Sequence, residues 1–515
     1  CEKRECLANW VTVTPEGLAL RLASGSGMQE TKFSDLTFLG GESVFARFFA
    51  RPFKRFLAVE AAGGVMLLIA TAVALIWVNS PWGDSYDAFW GVPVNLSVNG
   101  IEIFEGHTLA DFVNDALMAL FFFVVGLEIK RELVTGQLQN LKDAALPAVA
   151  ALGGMIVPAA LFFAINAGSP GENGWGIPMA TDIAFAVGIV SLLGNRIPRQ
   201  LKVFLLSLAI VDDIGAIIVI ALFYSSGISA AWLLATTVLL GLIFVLGRLR
   251  VWWIPIYVVL GCIVWWTTFR SGVHATIAGV ALGLLTPARP LQNEGETRTI
   301  ARWLRDKPEV FPVDVRYASF HIRESISVAE RLETVLHPIT SYAIIPIFAL
   351  ANAGVRMNGN IISAALQSRV MWGIIAGLVV GKTIGITVFS LIATKLGIAK
   401  RPASLTLRTL VGLAMIAGVG FTVSLFVSNL AFGEVEHYDE VALVVQAPGD
   451  LAFTEADELP TDGSHNDSDY SQSASGDVEG GSTEDNAKIG ILFASIIASI
   501  GGLLILSGSR KPEDE

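Results

Sequence analysis

Asp212 and Asp213 stand side by side in the middle of LKVFLLSLAIVDDIGAIIVIALFY, residues 201–224, an otherwise apolar stretch long enough to cross a bilayer. A carboxylate near a bilayer midplane costs about 2.5–3.5 kcal/mol on insertion scales, so a pair held there serves a purpose beyond folding. Binding ions or protons is the chemistry it offers. Asp182 in GWGIPMATDIAFAVGI and Lys382 in VVGKTIGITVF are enclosed in the same way, each with a long apolar flank on at least one side. Asp115 in FVNDALMALFFFV reads as a helix-end residue near the outer face. Glu128, Lys130, Arg131 and Glu132, at the inner end of the second apolar run, read as side chains that snorkel to the interface.

Helix geometry divides the labour within the pair. Consecutive residues on a 3.6-residue helix point about 100° apart, so Asp212 and Asp213 cannot face one target in the same way. One binds while the other pairs. Burial favours the uncharged forms of a carboxyl and an amine, and an opposite charge nearby restores the ionised forms. A cluster of this kind therefore takes either a cation or a proton, and competition at one site is sufficient for exchange. The plainer alternative is a structural ion pair between the aspartates and Lys382.

The elements that hold these residues are apolar helices. The chain has 515 residues, 53% of them apolar, and a mean hydropathy of +0.61. Twelve runs approach the ~20 residues that span a hydrocarbon core: 57–78, 109–129, 145–167, 176–194, 203–224, 231–247, 252–269, 272–286, 336–354, 371–394, 409–431 and 488–507. With the N-terminus inside, 30 of the 35 Lys and Arg fall in inner segments, as the positive-inside rule requires. An even number of spans with both ends cytoplasmic follows. Gly174, Gly176 and Pro178 just before Thr181-Asp182, and Gly418 and Gly420 within AMIAGVGFTVSLF, predict breaks in two of these helices. Half-helix ends near the midplane expose unpaired amides and carbonyls, where a carboxylate suits the positive N-terminal end and a lysine the negative C-terminal end.

The soluble parts are few. Residues 1–47 form a cytoplasmic extension, 48–432 a core that includes a cytoplasmic insertion over 288–333, 433–487 an outer loop, and 488–515 the last span and tail. The net charge of −11 is local, because 434–487 hold 15 Asp or Glu and no Lys or Arg, leaving the rest of the chain net positive. The composition of that loop reads as a disordered, solvated spacer. HIRESISVAERLETVL in the insertion reads as an amphipathic helix leading into the ninth span. PVNLSVNGIEIFEG, residues 93–106, alternates apolar residues around Asn99-Gly100 and predicts an extracellular β-hairpin with a type I′ turn and one edge free to pair. Cys1, Cys6 and Cys262 give neither a metal spacing nor a disulfide framework, and residues 1–50 show no signal-peptide core.

Taken together, NDALMALFFFVVGLEIKREL, GGMIVPA, PMATDIAFAVGIVSLLG, LAIVDDIGAIIVIALFY, SGVHATIAGV, FALANAGV, GLVVGKTIGI and GVGFTVSLF resemble the NhaA-type sodium/proton antiporters over about 48–432 and again at 487–507. The resemblance implies an all-α polytopic membrane protein of twelve transmembrane helices with inverted repeats, its fourth and eleventh helices broken and crossing, plus the small extracellular β-hairpin. It implies that Asp212 and Asp213 form the exchange site and hold sodium transiently, Asp213 as the preferred ligand, with Lys382 the partner of Asp212. Thr181 and Asp182 would lie at the helix crossing, where Asp182 balances positive half-helix ends. Glu128, Glu132, Glu333 and His337 would belong to a cytoplasmic pH-sensing funnel, and His274 would influence the pH response. Thr383 stands where the family has proline, Thr334 where some members have histidine, and Glu330 where a basic residue is usual.

The function expected is electrogenic, pH-regulated exchange of cytoplasmic sodium for external protons by alternating access, not enzymatic turnover. Expected partners are sodium, protons, lithium as an alternative cargo, membrane lipids and a second copy joined through the hairpin. No cofactor and no nucleic acid is called for, and the location is a bacterial inner membrane. Two other classes make demands on the residues. A prenyltransferase wants a third carboxylate soon after the pair, where Ile214, Gly215 and Ala216 stand, and the Gly-x-Gly-Asp pattern of an intramembrane aspartyl protease is absent. A sodium-coupled symporter on a similar fold would need an organic solute.

Overall fold

Apolar runs without a polar face fold into helices that present hydrophobic side chains all round, which suits a chain solvated by lipid. A computed structural model describes residues 62–433 and 482–508, apart from 99–100, 195–196, 226, 250, 252–253, 291–293 and 403. The expected N-terminal extension, most of the acidic loop, the end of the tail, Cys1, Cys6 and the Asn99-Gly100 turn lie outside the described residues. Every element below belongs to the compact unit Gly63–Glu515, the first helix starting one residue before it.

In chain order the elements are α1 (Ala62–Val78), α2 (Gly83–Trp90), β1 (Pro93–Val98), β2 (Ile101–Thr108) and α3 (Leu109–Val134). Next come α4 (Leu141–Asn166), the 3-10 helix α5 (Glu172–Met179), α6 (Ile183–Leu192), α7 (Arg199–Phe223), α8 (Ala230–Arg248), α9 (Ile254–Arg270) and α10 (Thr276–Leu285). The insertion carries α11 (Glu294–Arg305) and α12 (Pro312–Glu324). They are followed by α13 (Val328–Asn352), α14 (Gly359–Gln367), α15 (Arg369–Lys395), α16 (Leu407–Ala417), α17 (Phe421–Phe432) and α18 (Thr483–Ser507).

Seven of these helices are long and apolar enough to cross a membrane, namely α3, α4, α7, α8, α13, α15 and α18. Three apolar pairs bend at a short break: α1/α2 by 115°, α5/α6 by 42° and α16/α17 by 45°. The lipid-facing character is plainest on α8, where only 11% of the apolar window is covered by protein and Leu234, Val238 and Phe244 stand exposed. Single π-turns interrupt α3 at Val113–Leu117, α13 at Thr340–Ile344 and α15 at Ala376–Gly381. Such turns are rare and recur at functional positions.

The hairpin is antiparallel, with Val98 opposite Ile101, Pro93 opposite Thr108 and irregular register between Val94 and Ser97. Its second strand runs on to Thr108, whose side chain caps α3 by accepting from the Asp111 amide while Asp111 accepts from Thr108 in return.

Several expectations are corrected. The segment over 321–336 is not one helix: α12 ends at Glu324, and Ser327 caps a new helix by accepting from the Glu330 amide at 3.2 Å. The Glu330 amide is in the first turn and has no carbonyl within the helix to accept it, so the Ser327 hydroxyl satisfies it, which is why serine suits a helix start. The run 272–286 is helical only from Thr276. Asp115 is not at a helix end, since it lies in the π-turn of a continuous α3. The insertion leaves and rejoins the bundle at one place, because the Ala329 amide donates to the Pro287 carbonyl at 3.1 Å. Within it Lys307 pairs with Asp314 at 2.6 Å, and with the Phe311 amide this holds the Asp314 carboxyl below the usual carboxylate range.

The helices pack by close backbone approach, as expected where lipid removes most of the hydrophobic drive for association. At the α4/α15 crossing, a Cβ on Gly385 would run into the Gly153 carbonyl. Gly385→Val should therefore lower the thermal midpoint in detergent by several degrees, equivalent to about 1–3 kcal/mol of overpacking. A variant that melts with the parent in a fluorescence-detected size-exclusion assay would show that α4 and α15 do not need this contact.

Candidate functional site

Two breaks in the chain meet inside the bundle. After α5 the backbone runs extended through Ala180 and Asp182 before α6 begins, and after α16 it passes Gly418, Val419 and Gly420 before α17 begins. The Asp182 amide donates to the Val419 carbonyl at 2.8 Å, which joins the breaks directly. Gly420 is required here, since a Cβ would lie 2.7 Å from the Ala180 carbonyl oxygen. The break expected at Gly174, Gly176 and Pro178 falls later, because those three residues are inside α5.

One carboxylate serves two helix starts. Asp182 accepts from the Phe185 amide at 2.9 Å as the cap of α6, and its other oxygen accepts from Thr422 at the start of α17, from the amide at 3.2 Å and from the hydroxyl at 2.8 Å. A helix N-terminus carries about half a positive charge, so a buried anion between two of them is compensated without a cationic side chain. Hydroxyls meet the opposing C-terminal ends: Ser424 donates to the Ile177 carbonyl at 2.8 Å, and Thr181 lies 2.9 Å from the Ala417 carbonyl.

Against this crossing stand α7 and α15. Lys382 and Asp212 pair at 2.6 Å with neither side chain exposed. Thr181 lies between them, its Oγ1 2.5 Å from the Lys382 Nζ and 2.6 Å from the Asp212 Oδ2. The hydroxyl has one proton, so it accepts from Lys382 and donates either to Asp212 or to the Ala417 carbonyl. The Oδ1 atoms of Asp212 and Asp213 are buried with no hydrogen-bond partner, and Asp213 as a whole is 5% exposed. Lys382 forms its ion pair with Asp212 and, among the described residues, not with Asp213, which lies within electrostatic reach of Asp212, Glu128, Lys382 and Asp182. The chain thus brings together Thr181, Asp182, Asp212, Asp213 and Lys382. A π-turn immediately precedes Lys382, and Thr383, in the place of the family's proline, bonds back to the Val379 carbonyl at 2.6 Å.

The second group of expected residues is gathered less completely. Arg131 reaches across from α3 to pair with Glu333 of α13 at 2.5 Å and lies 3.5 Å from Glu132. Glu128 is close enough to Glu333 and Glu132 to interact with both charges. Snorkelling to the interface therefore does not describe Glu128 or Arg131, which interact with Glu333 of α13. His337, one turn beyond buried Glu333, is exposed, and its side chain forms no hydrogen bond among the described residues. His274 is remote from that group: its Nε2 lies 2.5 Å from the Tyr224 carbonyl at the end of α7. Tyr224 in turn donates to the Asn173 carbonyl at 2.7 Å and accepts from the Gly176 amide at 3.1 Å, which ties the end of α7 to α5.

Thr422, Ser424, Tyr224 and the pairing of Arg131 with Glu333 are not among the residues expected from the sequence. Thr422 had a signal, being the second residue after Gly418-x-Gly420 and hence in the first turn of any helix restarting there.

Residues 54–448 match the family model described as Na+/H+ antiporter 1. The chain belongs to that family. It is 47% identical over 394 residues to the Na(+)/H(+) antiporter NhaA of Rhodopirellula baltica, covering 74% of this chain and 88% of that one. Against the Na(+)/H(+) antiporter NhaA 2 of Sorangium cellulosum the figures are 46% over 410 residues, 78% and 87%. Against the Na(+)/H(+) antiporter NhaA 3 of Frankia alni they are 40% over 464 residues, 89% of each. Family membership makes this an ion-transporting antiporter of the membrane, and the matched segment includes every residue of the crossing described above.

Removing one member of a buried ion pair leaves the other charge stranded, at about 3–5 kcal/mol, whereas replacing both with apolar groups is often close to neutral. Lys382→Met should therefore destabilise the folded protein strongly, and Lys382→Met with Asp212→Leu should recover most of the loss in thermal stability. Equal destabilisation of single and double variants would mean that the pair is not the origin of the effect.

Proposed function

We propose that this protein exchanges sodium for protons across a bacterial inner membrane, with lithium as an alternative cargo, by alternating access to the carboxylates at the crossing. The observation that carries the reading is the pair of unpartnered Oδ1 atoms on Asp212 and Asp213, in a chain 47% identical to a named sodium/proton antiporter. A buried carboxylate oxygen without a donor lacks a ligand. A bare sodium ion and a proton each satisfy it, and each excludes the other.

The roles follow from chemistry. Asp213, which has no cationic contact, is the sodium ligand and the acid that takes the returning proton. Asp212 shares the ion with its free oxygen while Lys382 and Thr181 hold the other one, and Asp182 keeps the crossing neutral. Glu128, Glu132, Glu333, His337 and Arg131 form the cytoplasmic approach, where the first four sense pH, and His274 tunes the pH response from the opposite side through Tyr224.

The chain crosses twelve times in this reading: the seven long helices, the broken pairs α5/α6 and α16/α17 as one span each, and α1, α9 and α10. The reciprocal bonds of the two breaks fit inverted repeats. Both termini are cytoplasmic on the distribution of Lys and Arg, which puts the hairpin outside with an edge for a second copy. Moving more protons than sodium ions per cycle transfers charge, and each net charge contributes about 2.3 kcal/mol per 100 mV.

Asp213→Asn removes the group for which both cargoes compete while keeping its shape. Everted vesicles containing it should show no sodium-dependent change in ΔpH, with folded protein at parent levels; persistent exchange would reject Asp213 as the site. Competition also fixes the pH dependence. Because at least one proton displaces each sodium ion, the apparent KM for sodium should rise by about tenfold or more for each unit by which pH falls below the acid's titration. A pH-independent KM in proteoliposomes would sink the shared-site mechanism.

A further inference from the structure

The helices fall into two packed groups. In one, α3 lies along α10 and α13; in the other, α4 packs against α5, α7 and α15, and α18 against α15, α16 and α17. Towards the end of α3 that carries Arg131, the groups face each other through Glu128 and Asp213. Towards the hairpin end, a different device joins them. Asn352, the last residue of α13 and 3% exposed, donates to the Asn114 Oδ1 at 2.8 Å and to the Phe348 carbonyl at 3.0 Å. Its own oxygen accepts from Asn429 of α17 at 3.0 Å. Both amide hydrogens and the carbonyl of Asn352 are thereby used.

This arrangement has features that packing alone does not call for. A buried asparagine in a lipid-solvated bundle is costly unless satisfied. All three elements are irregular at or beside the ladder: Asn114 sits in the π-turn of α3, Asn352 ends α13, and Asn429 lies one turn before the end of a half-helix. The half-helix is the one whose first turn holds Asp182 through Thr422. A displacement of α17 at its Asn429 end is therefore transmitted along a rigid 12-residue rod to the carboxylate crossing. Ser428, beside Asn429, is fully buried with an unpartnered hydroxyl.

We propose that Asn429, Asn352 and Asn114 are positioning residues that form a directional amide latch, holding the two groups together at the hairpin end, and that its release admits water and cargo to the site from that side. The proposal rests on the exchange reading for its consequence in transport, but the latch is tested independently of transport.

The experiment uses the full chain with Cys1, Cys6 and Cys262 replaced and Ser428→Cys added, labelled by a membrane-impermeant methanethiosulfonate applied from the hairpin side. With the latch intact labelling is slow. Asn352→Ala or Asn429→Ala should speed it about threefold to tenfold, the population shift one polar contact between membrane helices supports, and the double variant should be no faster than either single, because both break the same chain. In everted vesicles Asn352→Ala should raise the apparent KM for sodium on the face opposite the hairpin by a similar factor, with a smaller change in maximal rate. Asn114→Ala, at a half-buried position, serves if Asn352→Ala does not fold. Unchanged labelling, or singles whose effects multiply in the double, overturns the latch. Faster labelling in a protein that exchanges no sodium supports the latch and removes the exchange reading instead.

Discussion

An ammonium and a carboxylate 2.6 Å apart, neither touching solvent, set the terms for everything around them. In a medium that screens charge poorly, each is tolerable only in the presence of the other, and each remaining lone pair or proton has to find a partner. Lys382 and Thr181 both lie against one oxygen of Asp212, so the second oxygen is left over, next to a neighbouring aspartate whose Oδ1 is likewise without a partner. The pair fixes which oxygens are free. A site with every acceptor filled would hold the same helices together and have no room for a cargo.

The broken helices let those charges sit deep in the bundle. A continuous helix offers no backbone polarity at its middle, because every amide and carbonyl is used within it. Interrupting two helices at the same depth supplies two N-terminal and two C-terminal ends, and the side chains there match them by sign: Asp182 bridges the N-terminal ends of α6 and α17, while Thr181 and Ser424 meet the C-terminal carbonyls of α16 and α5. Gly385 against Gly153, and Gly420 against Ala180, bring backbones near enough for these short bonds. The crossing is consequently a joint with polar bearings rather than an apolar weld.

How far the amino-acid sequence disclosed this varies with the kind of signal. Charged residues inside apolar runs are conspicuous because lipid penalises them, so Asp182, Asp212, Asp213 and Lys382 were visible at once, and the structure gathers all four. The hairpin was legible from alternation around Asn99-Gly100. Breaks were legible only approximately: Gly174, Gly176 and Pro178 suit a 3-10 helix as well as a gap, and the real interruption falls at Ala180–Asp182, where a cap and the hydrogen bond from the Asp182 amide to the Val419 carbonyl decide it. The π-turns left no trace, since one extra residue in a turn changes no composition. Arg131 looked like a snorkelling residue because its partner Glu333 lies 202 positions away, and no local pattern encodes that encounter.

The seam between Ala329 and Pro287 has a consequence of its own. Because the two-helix excursion begins and ends at one hydrogen-bonded point, its length is uncoupled from the spacing of α10 and α13. Loop closure grows only slowly in cost with added residues. The bundle can thus carry appendages of different sizes at this port without any span shifting, and a whole folded module could be grafted there as readily as two short helices.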